Sequence, residues 1–248
     1  LHPAAVGVWI GQAHDNTVAH CTIRDLYYSG LSVGWTWGYG PSAAHHNQFL
    51  ANHIHTLGQG VLSDMGALYS LGVSPGTVLK GNKFHDVNSF DYGGWGIYFD
   101  EGSTGIVAEG NVVYRCKTGN FHQHYGKENV LERNVMVDSP GPQLARTRSE
   151  PHVSFFFRHN VVAYSAGTLL GSNWQNDDKY VIDENLYWHD GKPVLFGKDD
   201  LAAWQKRGHD QHSIIADPKF VDPAHDDFRL QPGSPAESIG CPSPDVRG

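Results

Sequence analysis

The sequence predicts an all-β protein, a right-handed single-stranded parallel β-helix, on three observations. The first is a short pattern that returns seven times: an apolar residue, two variable residues, usually Asn, one more residue, then an apolar residue. Its centres are Cys21, Asn52, Asn82, Asn111, Asn134, Asn160 and Asn185, spaced by 31, 30, 29, 23, 26 and 25 residues. A period in that range marks a solenoid, whose repeats bury their apolar faces only by stacking on neighbours. The second is chemical: Asn suits a bend because it tolerates left-handed backbone and its amide can bond the same amide one coil above. The third is the supply of turn formers, 29 Gly and 13 Pro in 248 residues, which many short strands require.

The elements follow in order. About seven coils are expected, from about Val6 to about Phe196. Asp199–Arg207 reads as a short helix, with Leu201 and Trp204 as its apolar face, an Asp at its start and Gly208 as its stop. Ile214–Ile215 and Lys219–Val221 read as brief strands split by Asp217-Pro218. Phe228-Arg229-Leu230 and the PGSPA that follows read as a terminal cap over the last coil. The chain is therefore expected to be one domain over 1–248, with coils over about 6–196 and helix and cap over about 197–248. A solenoid of this length needs no thicker core, because it grows by adding coils. Leu1-His2-Pro3 enters repeat material at once, so upstream coils or a processed leader are expected before it.

Charge and composition remove several partners. The formal net charge is −8 with no basic patch, which argues against nucleic acid and disfavours a strongly polyanionic substrate. No apolar run reaches membrane-spanning length, and a monomer is expected. Cys21, Cys116 and Cys241 form no zinc pattern and cannot all pair; Cys21 reads as a small buried residue of the Asn column. The 16 histidines show no helical i, i+4 pair, so no metal and no cofactor are expected.

A second element recurs after the Asn position: Gly30–Gly34, Gly60–Asp64 (GVLSD), Gly96–Asp100, Gly119–Gln123 and Gly167–Gly171. Aligned as strands, these end in one column of Gly34, Asp64, Asp100, Gln123 and Gly171. Beside it stand Trp35, Met65, Glu101, His124 and Ser172. One coil is longer, and the excess falls in Val87–Trp95, which is expected to project as a loop walling one side of a cleft. Stacked strands lie about 4.8 Å apart, so Asp64 and Asp100 are expected to hold their carboxyl groups together, with Glu101 beside them. Two carboxylates in contact cannot both ionise cheaply, and a protonated acid beside an ionised partner is what glycosidic cleavage requires. Two other readings stand beside this one: strand-closing Asp residues as turn formers, and a calcium site.

The surroundings suit a sugar. Trp35, Trp37, Tyr39, Tyr69, Tyr92, Trp95 and Tyr98 fall in one sector of the first coils, and aromatic faces fit the C–H faces of pyranose rings. His122, Gln123, His124 and Tyr125 would add hydrogen-bonding groups from the next coil.

The segments GVWIGQAHDNTVAHCTIRDLYYSGLSVGWTWGYG, GVLSDMGALYSLGVSPGTVLKGNKFHDV, GGWGIYFDEGSTGIVAEGNVVYR, FHQHYGKENVLERN and WQKRGHDQHSIIADPKFVDP resemble right-handed parallel β-helix carbohydrate-active proteins. They are most similar to the group near glycoside hydrolase family 141, and more distantly to the β-xylosidases of family 120. The resemblance covers almost the whole chain. The coils and the closing FVDP…FRL…GSPA are shared by many β-helix hydrolases and lyases, whereas DMGALY and GIYFDEGS are more specific. It implies that paired acids on neighbouring coils are catalytic, here Asp64 with Asp100 or Glu101, and that the protein works outside the cell or in the periplasm.

A glycoside hydrolase acting on a plant or microbial polysaccharide or oligosaccharide is the function expected, with a carboxyl separation near about 5 Å and hence retention of configuration. The alternatives are a polysaccharide lyase, with Arg146 and Arg148 as the basic pair that would neutralise a uronate, and a non-catalytic carbohydrate-binding rod.

Overall fold

The structure, a computed structural model, describes residues 2–174 and 177–245. Three parallel sheets run along it, as expected of a parallel β-helix. The first joins Val8–Ile10, Leu31–Gly34, Gly66–Leu71, Trp95–Phe99, Gly119–Gln123, Pro142–Arg146 and Thr168–Leu170, each strand pairing with the next. The second runs through seven strands from Thr17–Ala19 to Val181–Asp183. The third runs through eight, from Thr22–Leu26 to Ile214–Ile215, one level more than the seven coils expected. Alternation puts Leu31, Leu68, Ile97, Phe121 and Leu144 in one interior column with no solvent exposure, a stacked apolar core.

The Asn column forms as expected. The Oδ1 atoms of Asn82, Asn111, Asn134, Asn160 and Asn185 accept the backbone N–H of the Asn one coil earlier at 2.9–3.0 Å. Side-chain amides bond in the same direction, for example Asn82 Nδ2 to Asn111 Oδ1 at 2.9 Å. At the far end Asn185 N–H donates to Ser213 Oγ, and its amide donates to the buried carboxylate of Asp210. Two expectations change. The left-handed residue is the one before each Asn (His20, Ala51, Gly81, Gly110, Arg133, His159, Glu184, with φ between 50° and 65°), not the Asn itself. Five of these carry a Cβ, a conformation that persists only where the surroundings over-determine it, here by the amide ladder that follows. Cys21, at the first level, bonds Asn52 through its backbone N–H, and its side chain is exposed rather than buried.

The short helix is Leu201–Lys206, capped by Asp200, whose carboxylate accepts from Ala203 N–H. It puts the fully buried Trp204 against Phe196 and Tyr180, at one end of the core. The last segment does something other than cap the final coil. Phe220–Asp222 pairs antiparallel with Asp227–Leu230, and Phe220, Phe228, Leu230, Ala236 and Ile239 cover the outer face of the third sheet. That face is apolar there: Val112, Val135, Val161 and Leu186 form an outward column that would otherwise meet water.

Candidate active site

The register in the first sheet differs from the one expected. In the second coil the strand is Gly66–Leu71, not Gly60–Asp64, which lies in the turn before it. Tyr69 therefore pairs with Tyr98, and Tyr98 with His122, giving an outward column of Ser32, Tyr69, Tyr98 and His122. The next outward position holds Asp100, level with Leu71 before it and His124 after it. The length difference also falls otherwise. Ala67 follows Asn52 by 15 residues and Gly96 follows Asn82 by 14, against 9 for Gly30 after Cys21 and for Asn120 after Asn111. Two successive coils thus carry an insertion, not one.

Those two insertions stack and carry Asp64 to Asp100. Phe90 N–H donates to Leu62 O and Asp64 N–H to Tyr92 O, so the turn 58–65 lies directly against 88–94. Asp64 sits in left-handed backbone (φ 52), and Gly93 touches it so closely that a Cβ there would lie 2.7 Å from the Asp64 nitrogen. Lys117, one coil on, ties the second loop by donating to the carbonyls of Ser89, Phe90 and Asp91 at 2.8–3.0 Å. The loop Val87–Trp95 does wall the cleft, through Tyr92.

Between the acids stand two tyrosines. The rings of Tyr69 and Tyr98 lie 4.5 Å apart; Tyr69 O–H donates to Asp100 Oδ2 at 2.6 Å, and Tyr98 O–H donates to Asp64 Oδ1 at 3.0 Å. Burial, reinforced by the nearby carboxylates, pushes both phenols far above their ordinary range, so both act as neutral donors. Asp64 is half-buried, and its pKa is raised, first by burial and then by the Asp100 charge; the tyrosine hydroxyls oppose this by stabilising its ionised form. Asp100 is itself buried.

The cleft over this pair has a volume of about 410 Å³ and is lined by Asp64, Tyr92, Trp95, Tyr98, Asp100, Glu101, His122, His124 and Thr147. His122 is buried between Trp95 (4.2 Å) and Tyr98 (5.1 Å, nearly parallel), and burial lowers its pKa to about 3, keeping it neutral. Its Nε2 meets Thr147 Oγ1 at 3.1 Å, and its Nδ1 has no partner among the described residues. His124 Nδ1 shares the same Thr147 hydroxyl at 2.7 Å, while its Nε2 lies 4.0 Å from Glu101. Glu101 also accepts from Tyr125 O–H at 3.3 Å.

Of the expected site residues, Asp64, Asp100, Glu101, Trp95, Tyr98, His122 and His124 meet in the cleft. Tyr69 lies behind it as a donor to Asp100, and Trp35 packs on Tyr69 at 5.3 Å with its indole N–H on Ser32. Trp37 is 63% exposed and lines no part of the cleft; it meets Trp35 edge-on. Tyr125 supports Glu101 from beneath the Arg148 guanidinium. Gln123 is corrected: it points inward, accepting from Asn129 and donating to Ser154 O, because it shares the interior column of Phe99. Arg146 is corrected likewise. It is buried and paired with both oxygens of Asp177 at 2.8 and 2.9 Å, out of reach of any uronate. Thr147 escaped notice because the strand it follows, Pro142–Arg146, opens on Pro instead of Gly. For the calcium reading, the described residues show no three ligand atoms of Asp64, Asp100 and Glu101 gathered at binding distance.

No family model matches the chain. It is similar to the "Uncharacterized protein YwoF" of Bacillus subtilis (strain 168), 23% identical over a 155-residue alignment that covers 55% of this chain and 26% of that protein. The chain thus spans about a quarter of that relative's length.

Proposed function

We propose that the protein is a glycoside hydrolase that cleaves a polysaccharide or oligosaccharide outside the cytoplasm, with Asp64 as general acid and Asp100 as nucleophile. The observation that carries this reading is the acid pair: two carboxylates gathered over one tyrosine couple, with Asp64 raised in pKa by burial and by Asp100. Glycoside cleavage needs a proton held for the leaving oxygen and a charge facing the anomeric carbon, and the raised Asp64 suits the first of these roles. The Tyr69 hydroxyl, donating to Asp100 Oδ2, orients that carboxylate. Asp64 protonates the departing oxygen as Asp100 attacks, and the glycosyl–Asp100 ester is then hydrolysed by water that Asp64 deprotonates. The aromatic walls, Tyr92 and Trp95, suit the C–H face of a pyranose.

The test is product analysis on plant and microbial glycans. New reducing ends without ultraviolet-absorbing unsaturated sugar support hydrolysis, and retained anomeric configuration in early product supports Asp100 as nucleophile. Unsaturated product would make the protein a lyase; binding without either product would make it a carbohydrate-binding rod.

A further inference from the structure

We propose that His14, Asp15, His45 and His46 form a surface site for one divalent transition-metal ion, zinc above all. The four residues occupy equivalent corners of two successive coils, just before the strands Thr17–Ala19 and Gln48–Leu50. Backbone pairing sets the layers, with Asp15 N–H on His45 O at 3.2 Å. His14 consequently stacks on His45, ring centres 4.4 Å apart and planes 9° from parallel. His14 Nδ1 lies 2.6 Å from Asp15 Oδ2, and His45 Nδ1 lies 2.9 Å from His46 Nδ1.

One ligand atom from each of His14, Asp15 and His45 falls within 4.8 Å of the others, and no other such group of three occurs among the described residues. Zn–N bonds of about 2.1 Å in tetrahedral geometry place neighbouring ligand atoms about 3.4 Å apart, so the ion needs only small rotations of exposed rings. His46 stands beside the group, its Nδ1 2.9 Å from His45 Nδ1, with the other edge of its ring packed on Gly76 of the third coil, where a Cβ would lie 2.5 Å from it. Two gathered imidazoles and a carboxylate, with a third imidazole beside them, match zinc, copper or nickel, and match calcium or magnesium poorly, since those ions take oxygen ligands. The site is open to solvent, with the His14 and Asp15 side chains 54% and 66% exposed, so an ion enters without opening the fold. It shares no residue with the cleft.

The experiment is calorimetric titration of the chelator-stripped protein with zinc alone. One ion per chain is expected, with affinity on the order of micromolar, unaffected by millimolar calcium. His14→Ala and His45→Ala should each weaken binding at least tenfold, while His53→Ala, in a separate histidine pair with His85, should leave it unchanged. Circular dichroism of these surface variants should match the parent. Absence of zinc uptake, wild-type affinity in His45→Ala, or loss of binding in His53→Ala would each overturn the proposal.

Discussion

Asp64 binds its proton more tightly in the folded chain than the usual carboxylate value of 3.8 allows, because burial and the Asp100 charge both disfavour its ionised form. The sign follows directly. Between 3.8 and the raised value the folded state holds more protons than the unfolded one, so stability falls as pH rises through that window and stays reduced at neutrality. Asp64→Asn removes that cost. The variant should melt above the parent at pH 7, and the gap should close as pH is lowered through 3.8, while hydrolysis falls by several orders of magnitude. Lower stability at pH 7 would show that the Asp64 charge is compensated in the fold. Tyr69→Phe tests the other half of the proposal: losing the bond to Asp100 should lower kcat by about ten- to a hundredfold with KM little changed, because the donor acts on the proposed nucleophile rather than on the substrate.

At the scale of elements, the Asn column separates by position. Asn111 satisfies the backbone and side-chain amides of Asn82 and itself donates to Leu79 O and Asn134, all buried. Asn111→Ala strands several of these groups and should cost about 3 kcal/mol in chemical denaturation, whereas Cys21→Ala, which loses only an exposed thiol contact to Ala19 O and keeps the backbone bond to Asn52, should cost well under about 0.5 kcal/mol. The loop Val87–Trp95 separates in another way. Excising Asn88–Gly93 would remove the carbonyl that holds the Asp64 N–H, so it would disturb the acid as well as the wall. Lys117→Met is the cleaner probe, releasing three loop carbonyls without touching Asp64. It should speed amide exchange over 89–91 and change substrate use, with the melting temperature nearly unchanged.

The whole molecule shows which parts of its design a sequence displays. The coil stack was legible because Asn at a 23–31-residue period has one dominant physical reason, a ladder of amides. The meeting of Asp64 and Asp100 was legible as well, but by a different path from the real one. GVLSD and GIYFD look alike, yet the first is a turn, and only pairing of Gly66–Leu71 with Trp95–Phe99 reveals that two stacked insertions bring the acids together. Gln123 was misplaced by a shift of one residue, which in a strand exchanges inside for outside. The cover over the third sheet was hidden for a plainer reason: its contacts join residues about a hundred positions apart, with no period to announce them. Ending the chain after Asp217 should expose the column of Val112, Val135, Val161 and Leu186, raise dye binding to apolar surface and promote aggregation, while the Asn ladder stays formed.

That cover also sets a clock. Val112 meets water-excluding neighbours such as Phe228 only after 116 further residues (228 − 112) have been made. At roughly 5–20 residues per second, the interval is about 6–23 seconds for each new chain. The coils can stack as they emerge, level upon level, but their outer flank waits bare until the segment from Phe220 to Cys241 has been made. For this protein, the hazard of biosynthesis is therefore a matter of duration: a slow stretch of translation after Trp188 lengthens the time in which two unfinished molecules can find each other.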